Sequence, residues 1–267
     1  MSTAVGFYFG LPQINPGTFL PVLFHLIVGT ALIASGTAAL NQWWERESDK
    51  FMERTATRPL PSGKLKPTNA LVFGIVLSIM GFGQLWIGCN PLTALLALFT
   101  LITYLFLYTP LKRRSPHSTT IGAIPGAMPP LIGFAAAAGE LRLEAWALYA
   151  LLFVWQFPHF YAIAWMYKEE YGRAGILMLP VVEPDGNSTA NRILWTSILL
   201  APTSLLPVLL AMTGKVYLAT AVLMGAILLY TAWKFFGERS RDRARGVLLA
   251  SVVYLPVLYA ALIFAPR

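Results

Sequence analysis

Runs of mostly apolar residues, each about 20 long and so able to cross a bilayer as a helix, recur along the whole chain. They predict eight full-length spans near residues 18–42, 69–88, 91–108, 119–139, 145–167, 190–213, 216–236 and 246–265. Residues 1–11 are also apolar but too short to span. They are either the remnant of a ninth helix or an interfacial piece. The connections after the first, third, fifth and seventh runs are long and charged, and the others are short and nearly uncharged. Of the 20 Lys and Arg, 17 fall on the charged side, leaving Arg142, Lys215 and Arg267 on the other. One missed or invented span would scramble that asymmetry. It places the charged loops in the cytoplasm.

Composition excludes a soluble protein. The chain is 57% hydrophobic and 12% charged, with mean hydropathy +0.62, whereas soluble domains carry about 25% charged residues. Too few polar side chains exist to cover a water-facing surface. A net charge of +8 raises the question of nucleic acid. No basic domain stands outside the apolar runs, so the excess is read as a topology signal, most simply in the run from Arg239 to Arg245, and no nucleic-acid partner is expected. The single cysteine, Cys89, excludes an intramolecular disulfide and makes a zinc-thiolate site implausible. The N-terminus lacks a basic n-region, so no cleavable signal peptide is expected. The fold class is an all-α polytopic bundle forming one integral-membrane domain over residues 1–267.

Two charged motifs carry candidate chemistry. The first run ends in Asn41-Gln42-Trp43-Trp44-Glu45-Arg46-Glu47-Ser48-Asp49. Asn41, Glu45 and Asp49 are spaced by four, so on a helix they share one face. Mg²⁺ takes oxygen ligands, typically one or two carboxylates plus substrate phosphates, and this stripe could hold it against a diphosphate. The alternative is a solvated helix end. Arg54 and Arg58 follow, and arginine suits bidentate recognition of phosphate oxygens; retention of positive charge inside is their other explanation. Tyr108-Thr109-Pro110-Leu111-Lys112-Arg113-Arg114 closes another helix on the same side. Its cations could meet a diphosphate or a porphyrin propionate, or simply anionic lipid headgroups.

The second motif lies four helices later. Trp155-Gln156-Phe157-Pro158-His159-Phe160 leads into Lys168-Glu169-Glu170-Tyr171. His159 lies within a span, and an ionisable residue at that depth is a functional candidate. It could bind a porphyrin iron, donate a hydrogen bond, act as a base, or be satisfied by a neighbouring helix. His25 and His117 are read as structural. Two charged clusters four helices apart suggest two halves facing one cavity, although the residues between do not visibly repeat. Gly122, Pro125, Gly126, Pro129 and Pro130 share one span. They indicate either close helix packing or a kinked cavity wall.

At this point the sequence resembles the UbiA-type intramembrane prenyltransferases. The first signature is Asn41-x3-Glu45-x3-Asp49 followed by Met52-x-Arg54-Thr55-x-x-Arg58-Pro59-Leu60. Within that superfamily the closest resemblance is to the protoheme IX farnesyltransferase (heme O synthase) branch. It is carried by Tyr108 to Arg113, by Trp155-Gln156-x-Pro158-His159-Phe160, and by Tyr171-x-x-Ala174-Gly175-x-x-Met178-Leu179-Pro180. Lys168-Glu169-Glu170-Tyr171 stands where quinone-type relatives carry a second Asp-rich motif. The resemblance implies a bundle of nine helices whose first opens on a Lys-Pro-Arg-like stretch. That stretch is absent here, leaving eight full-length helices plus a short stub.

The resemblance further implies farnesyl transfer from farnesyl diphosphate to heme b in the bilayer, with Mg²⁺ as cofactor and heme as substrate. Metal ligands would be Asn41, Glu45 and Asp49, acting with Lys168, Glu169 and Glu170 at the reacting centre. Arg54, Arg58, Tyr108, Lys112, Arg113 and His159 would bind substrate. It also implies the bacterial inner membrane, and heme A synthase or terminal oxidase assembly factors as partners. One rival is a sister enzyme acting on an aromatic quinone precursor or a chlorin. Another is a transporter or heme-binding assembly factor, which would bury charge mid-span rather than gather it at one face.

Overall fold

The computed structural model describes residues 1–13 and 16–265; Arg267, counted above on the uncharged side, lies outside them. Nine helices of nine residues or more organise the described chain: α1 (Ser2–Gly10), α2 (Phe19–Asp49), α3 (Pro67–Gly88), α4 (Pro91–Leu111), α5 (Ser118–Ala138), α6 (Leu143–Met166), α7 (Asn187–Leu209), α8 (Lys215–Gly237) and α9 (Arg241–Phe264). Helices α2 to α9 are the eight long and apolar enough to cross a membrane. The protein is a multi-pass integral membrane protein. Large side chains such as Val72, Phe73, Ile79, Leu223 and Trp233 are exposed on the outside, as they must be where the solvent is lipid.

Most expected spans match within a few residues, but α2 does not stop near 42. It runs 31 residues to Asp49, about 46 Å at 1.5 Å per residue, which exceeds a hydrocarbon core of about 30 Å. Its last turns therefore carry the Asn41–Glu45–Asp49 stripe on one continuous helix beyond the apolar layer. Helix α3 lies against α2 through paired glycines. A Cβ at Gly81 would stand 2.5 Å from Ile33 N and 2.8 Å from Gly29 O, and one at Gly36 would stand 2.8 Å from Gly74 O. Backbones meet where a side chain would separate them. Gln84 Nε2 donates to His25 Nδ1 at 2.8 Å in the same seam, so His25 is held between two helices.

The N-terminal stub is a helix inside the bundle rather than an interfacial piece. Val5 and Phe7 are buried, and α1 lies on the second half of α5. A Cβ at Gly6 would fall 2.0 Å from Pro130 O, and one at Gly133 1.8 Å from Thr3 O. Helix α5 is interrupted at Ala127 and Met128 before Pro129, since Pro130 and Pro129 cannot donate to the preceding turn. One core gathers Leu26, Leu85, Leu131 and Phe134 from α2, α3 and α5. The other gathers Leu148, Leu151, Ile193, Tyr217 and Tyr254 from α6 to α9. The first half of α5 contributes Ala123 and Ala127 to the second core, and a cavity lined in part by Gly122 and Gly126 opens at this junction.

Candidate functional site

A cavity of about 310 Å³ is lined by Asn41, Glu45 and Asp49 of α2, Arg54 and Arg58 after it, Tyr104, Tyr108 and Lys112 of the α4 end, and Gln156 and Phe160 of α6. The α2 stripe thus points into one space, as its spacing requires. Opposite it, α4 loosens into a π-helical turn over Thr103–Tyr108. Pro110 cannot donate a backbone hydrogen bond, and Thr109 Oγ1 also lies 2.9 Å from Tyr104 O. Such turns recur at functional sites. Here the turn brings Tyr104, Tyr108 and Lys112 to the same cavity.

The polar groups form two linked clusters. Thr109 Oγ1 donates to Asn41 Oδ1 at 2.9 Å, and Asn41 Nδ2 donates to Glu45 Oε2 at 2.8 Å. Lys112 Nζ donates to both Glu45 oxygens at 3.0 and 3.2 Å, and it sits 4.5 Å from the Tyr108 ring centroid. Separately, Arg58 Nη1 donates to Asp49 Oδ2 at 2.8 Å, with the Asp49 side chain 3% exposed. Burial opposes the charge on Lys112, but Tyr108 and Glu45 outweigh it and hold its pKa above the ordinary lysine value. Arg54 lies over the Tyr167 ring at 5.8 Å, with no carboxylate partner among the described residues. Three cations against two carboxylates leave the cavity positive.

The second charged cluster is not part of this cavity. Lys168, Glu169 and Glu170 line a separate surface pocket with Glu53, Arg173, Arg239 and Arg241, which corrects the expectation that both clusters face one space. The reason is local. Helix α6 ends at Met166, Tyr167 breaks the helical geometry, and Lys168–Arg173 starts a new short helix. That turn sends the charges outward and puts Tyr171 into the cavity. Burial raises the Tyr171 phenol pKa above its ordinary value. The following segment is pinned by Leu177 N–H donating to Lys112 O at 2.7 Å, which delivers Met178 to the cavity wall. Arg113 is exposed and does not line the cavity. Nor does His159, whose Nδ1 is 3.0 Å from Ser251 Oγ of α9.

Sequence reasoning did not single out Tyr104, Thr109, Gln156, Tyr171 and Met178 as site residues. Tyr104 carried a usable signal, since Tyr104-x3-Tyr108-x3-Lys112 repeats the spacing of four. Gln156, a polar residue at mid-span, was another. It donates to Ala123 O at 3.0 Å and packs where Gly126 has no side chain, its Oε1 lying 2.0 Å from where a Cβ would be.

The donor set around α2 suits a hard divalent cation. Two carboxylates and an amide oxygen face one cavity, and the Asn41 oxygen keeps a second lone pair beside its bond from Thr109. Among the described residues no three His, Cys, Asp or Glu gather to enclose a metal. The fit is therefore to an open Mg²⁺ site whose remaining oxygens come from outside the protein, not to a closed protein cage.

The architecture is that of an intramembrane prenyltransferase. Its fold matches a solved structure of digeranylgeranylglyceryl phosphate synthase with TM-score 0.80 at 20% identity, covering 99% of this chain and 91% of that one. It matches a UbiA homolog from Archaeoglobus fulgidus bound to DMAPP and Mg²⁺ with TM-score 0.62 at 15% identity, covering 98% and 93%. The chain belongs to the UbiA prenyltransferase family, whose pattern spans residues 1–260. It is 60% identical to a protoheme IX farnesyltransferase from Solibacter usitatus over 98% of this chain and 92% of the relative.

Proposed function

We propose that this protein transfers the farnesyl group of farnesyl diphosphate to a vinyl group of heme b, with addition of water, giving heme O. The observation that carries the reading is a cavity that joins the Asn41–Glu45–Asp49 face to Arg54, Arg58 and Lys112 and is walled by aromatic rings. Likeness to a relative named protoheme IX farnesyltransferase supports the acceptor, and the Mg²⁺-bound UbiA homolog supports the metal.

Asn41, Glu45 and Asp49 would hold Mg²⁺ together with diphosphate oxygens. Bound there, the metal supplies Lewis-acid neutralisation of the leaving group. Arg54, Arg58 and Lys112 take the remaining charge that develops as the allylic carbon–oxygen bond breaks. The Tyr104, Tyr108 and Phe160 rings shield the cation-like carbon from water and present π faces to it. The vinyl group attacks that carbon, forming the new carbon–carbon bond. Water then captures the cation on the former vinyl carbon and loses a proton. Arg113, exposed beside the cavity, meets a heme propionate. Residues 1–267 act as one domain in the bacterial inner membrane, charged loops in the cytoplasm.

The test is a mass-spectrometric heme profile of membranes from a host lacking its own heme O synthase, with and without this protein. A new heme heavier by a hydroxyfarnesyl unit is expected. Heme b alone, with the protein inserted and active on 4-hydroxybenzoate in a parallel assay, would move the reading to a quinone-type acceptor.

A further inference from the structure

Gln156 of α6 reaches α5 close to the place where α5 breaks, and its hydrogen bonds fix which way the amide lies. Gln156 Nε2 donates to Ala123 O at 3.0 Å and to Leu152 O at 3.3 Å. Carbonyls only accept, so both neighbours require the N–H side of the amide. The oxygen lies on the other side. A Cβ at Gly126 would stand 2.0 Å from Gln156 Oε1, so the oxygen takes the space that the missing side chain leaves. The residue is 4% exposed, and Oε1 accepts no hydrogen bond among the described residues. The buried side-chain polar atoms without a partner there are Thr189 Oγ1 and Tyr259 OH. Gln156 Oε1 is not one of them, so it reaches open space, and Gln156 and Gly126 both line the cavity.

A second acceptor belongs to the same stretch of wall. In a helix Gly126 O would accept from the N–H of residue 130, or from residue 129 in a tighter turn. Both are prolines and have no N–H. Among the described residues no other donor reaches Gly126 O. Gly126 is exposed, and without a side chain it is the backbone that meets the cavity. Gln156 stands well inside the span, ten residues before the end of α6 at Met166, or roughly 15 Å along the helix.

Two open acceptors in an enclosed polar niche suit a water molecule, which has two hydrogens to donate. With both committed, its lone pairs are left for an electrophile. We propose that Gln156 Oε1 and Gly126 O hold the water that adds to the cation on the former vinyl carbon. This rests on the heme acceptor reading above. The allylic carbon–oxygen bond of farnesyl diphosphate breaks, the carbon–carbon bond forms, and the water oxygen bonds to the vinyl-derived carbon. The departing diphosphate takes the proton that the water loses. Without a held water the same cation sheds a proton from the adjacent carbon to the diphosphate and closes to a double bond. The amide and the glycine thus decide between a hydrated and a dehydrated product.

The experiment expresses the full chain in a host lacking its own heme O synthase. Mass spectrometry separates hydroxyfarnesyl heme from its dehydrated counterpart, lighter by one water. Wild type is expected to give the hydrated product. Gln156→Leu removes the acceptor at similar volume, and Ala123 O keeps its bond from Ala127 N–H at 3.0 Å. Gly126→Ala leaves Gln156 in the chain but drives its oxygen aside. Each should raise the ratio of dehydrated to hydrated product at least about tenfold, the size of one lost hydrogen bond. A purely structural role would lower both products together. If Gln156→Leu fails to insert, Gly126→Ala decides by the same ratio. An unchanged ratio would overturn the assignment. So would inserted variants that make no farnesylated heme at all, because water is captured after the carbon–carbon bond forms. Wild type that makes no farnesylated heme would sink the acceptor reading itself.

Discussion

Lys112 and Glu45 meet through two hydrogen bonds of 3.0 and 3.2 Å, tying the end of α4 to the last turns of α2 across 67 residues of sequence. Both side chains are nearly buried, at 11% and 14% exposed. Their pairing sets how the carboxylate of the α2 stripe is presented to the cavity.

Removing one partner should therefore cost stability as well as activity. Lys112→Met leaves Glu45 buried and uncompensated, a loss of about 3–5 kcal/mol for a buried pair. Thermal unfolding in detergent should show a lowered midpoint. The double variant Lys112→Met with Glu45→Gln should regain most of the stability and none of the turnover. An unchanged midpoint in the single variant would show that the pair contributes little.

Asp49→Ala should abolish heme O formation while the protein still inserts. Its side chain is 3% exposed and bound to Arg58, so truncation removes a proposed metal ligand and frees the guanidinium together. A loss of at least about 10²-fold is expected, the size seen when one preorganised electrostatic group is deleted. Product yield from membranes normalised to inserted protein measures it, and near-wild-type yield would remove Asp49 from the site.

Chelation should stop turnover, and Mg²⁺ should restore it. Glu45→Gln should then shift the Mg²⁺ concentration for half activity upward, because an amide oxygen replaces a charged ligand. Titration of activity with Mg²⁺ separates this from simple damage. The same half-activity concentration in both proteins would mean that Glu45 is not a ligand.

Gly81→Val tests the α2–α3 seam independently of chemistry. Its Cβ alone would fall 2.5 Å from Ile33 N and 2.8 Å from Gly29 O, so the helices must separate. Overpacking of this kind costs roughly 1–3 kcal/mol. The folded yield in detergent should fall. Gly83→Val, at a position with open space around the added carbon, should leave it unchanged.

Eight spans were legible because length and apolarity, read along one segment at a time, decide whether a helix can cross lipid. The Asn41–Glu45–Asp49 face was legible for a similar reason, since a spacing of four fixes a shared face within one helix. The stub at residues 1–11 left two readings open. Whether nine apolar residues lie at an interface or inside a bundle depends on a partner surface, here Pro130 and Gly133 of α5.

The sequence by itself determined the membrane fold, the oxygen-bearing stripe and the sidedness of charge, all properties set by neighbours along the chain. Tertiary structure decided which charges meet. It paired Glu45 with Lys112 and Asp49 with Arg58, sent Lys168, Glu169 and Glu170 to a different pocket, and brought Tyr171 and Met178 into the cavity in their place. It also turned His159 toward Ser251 rather than into the cavity of the Asn41–Glu45–Asp49 face. The break at Tyr167 and the π-helical turn at Thr103–Tyr108 change side-chain direction within a few residues. Such local rotations are settled by packing between helices, which no single segment encodes.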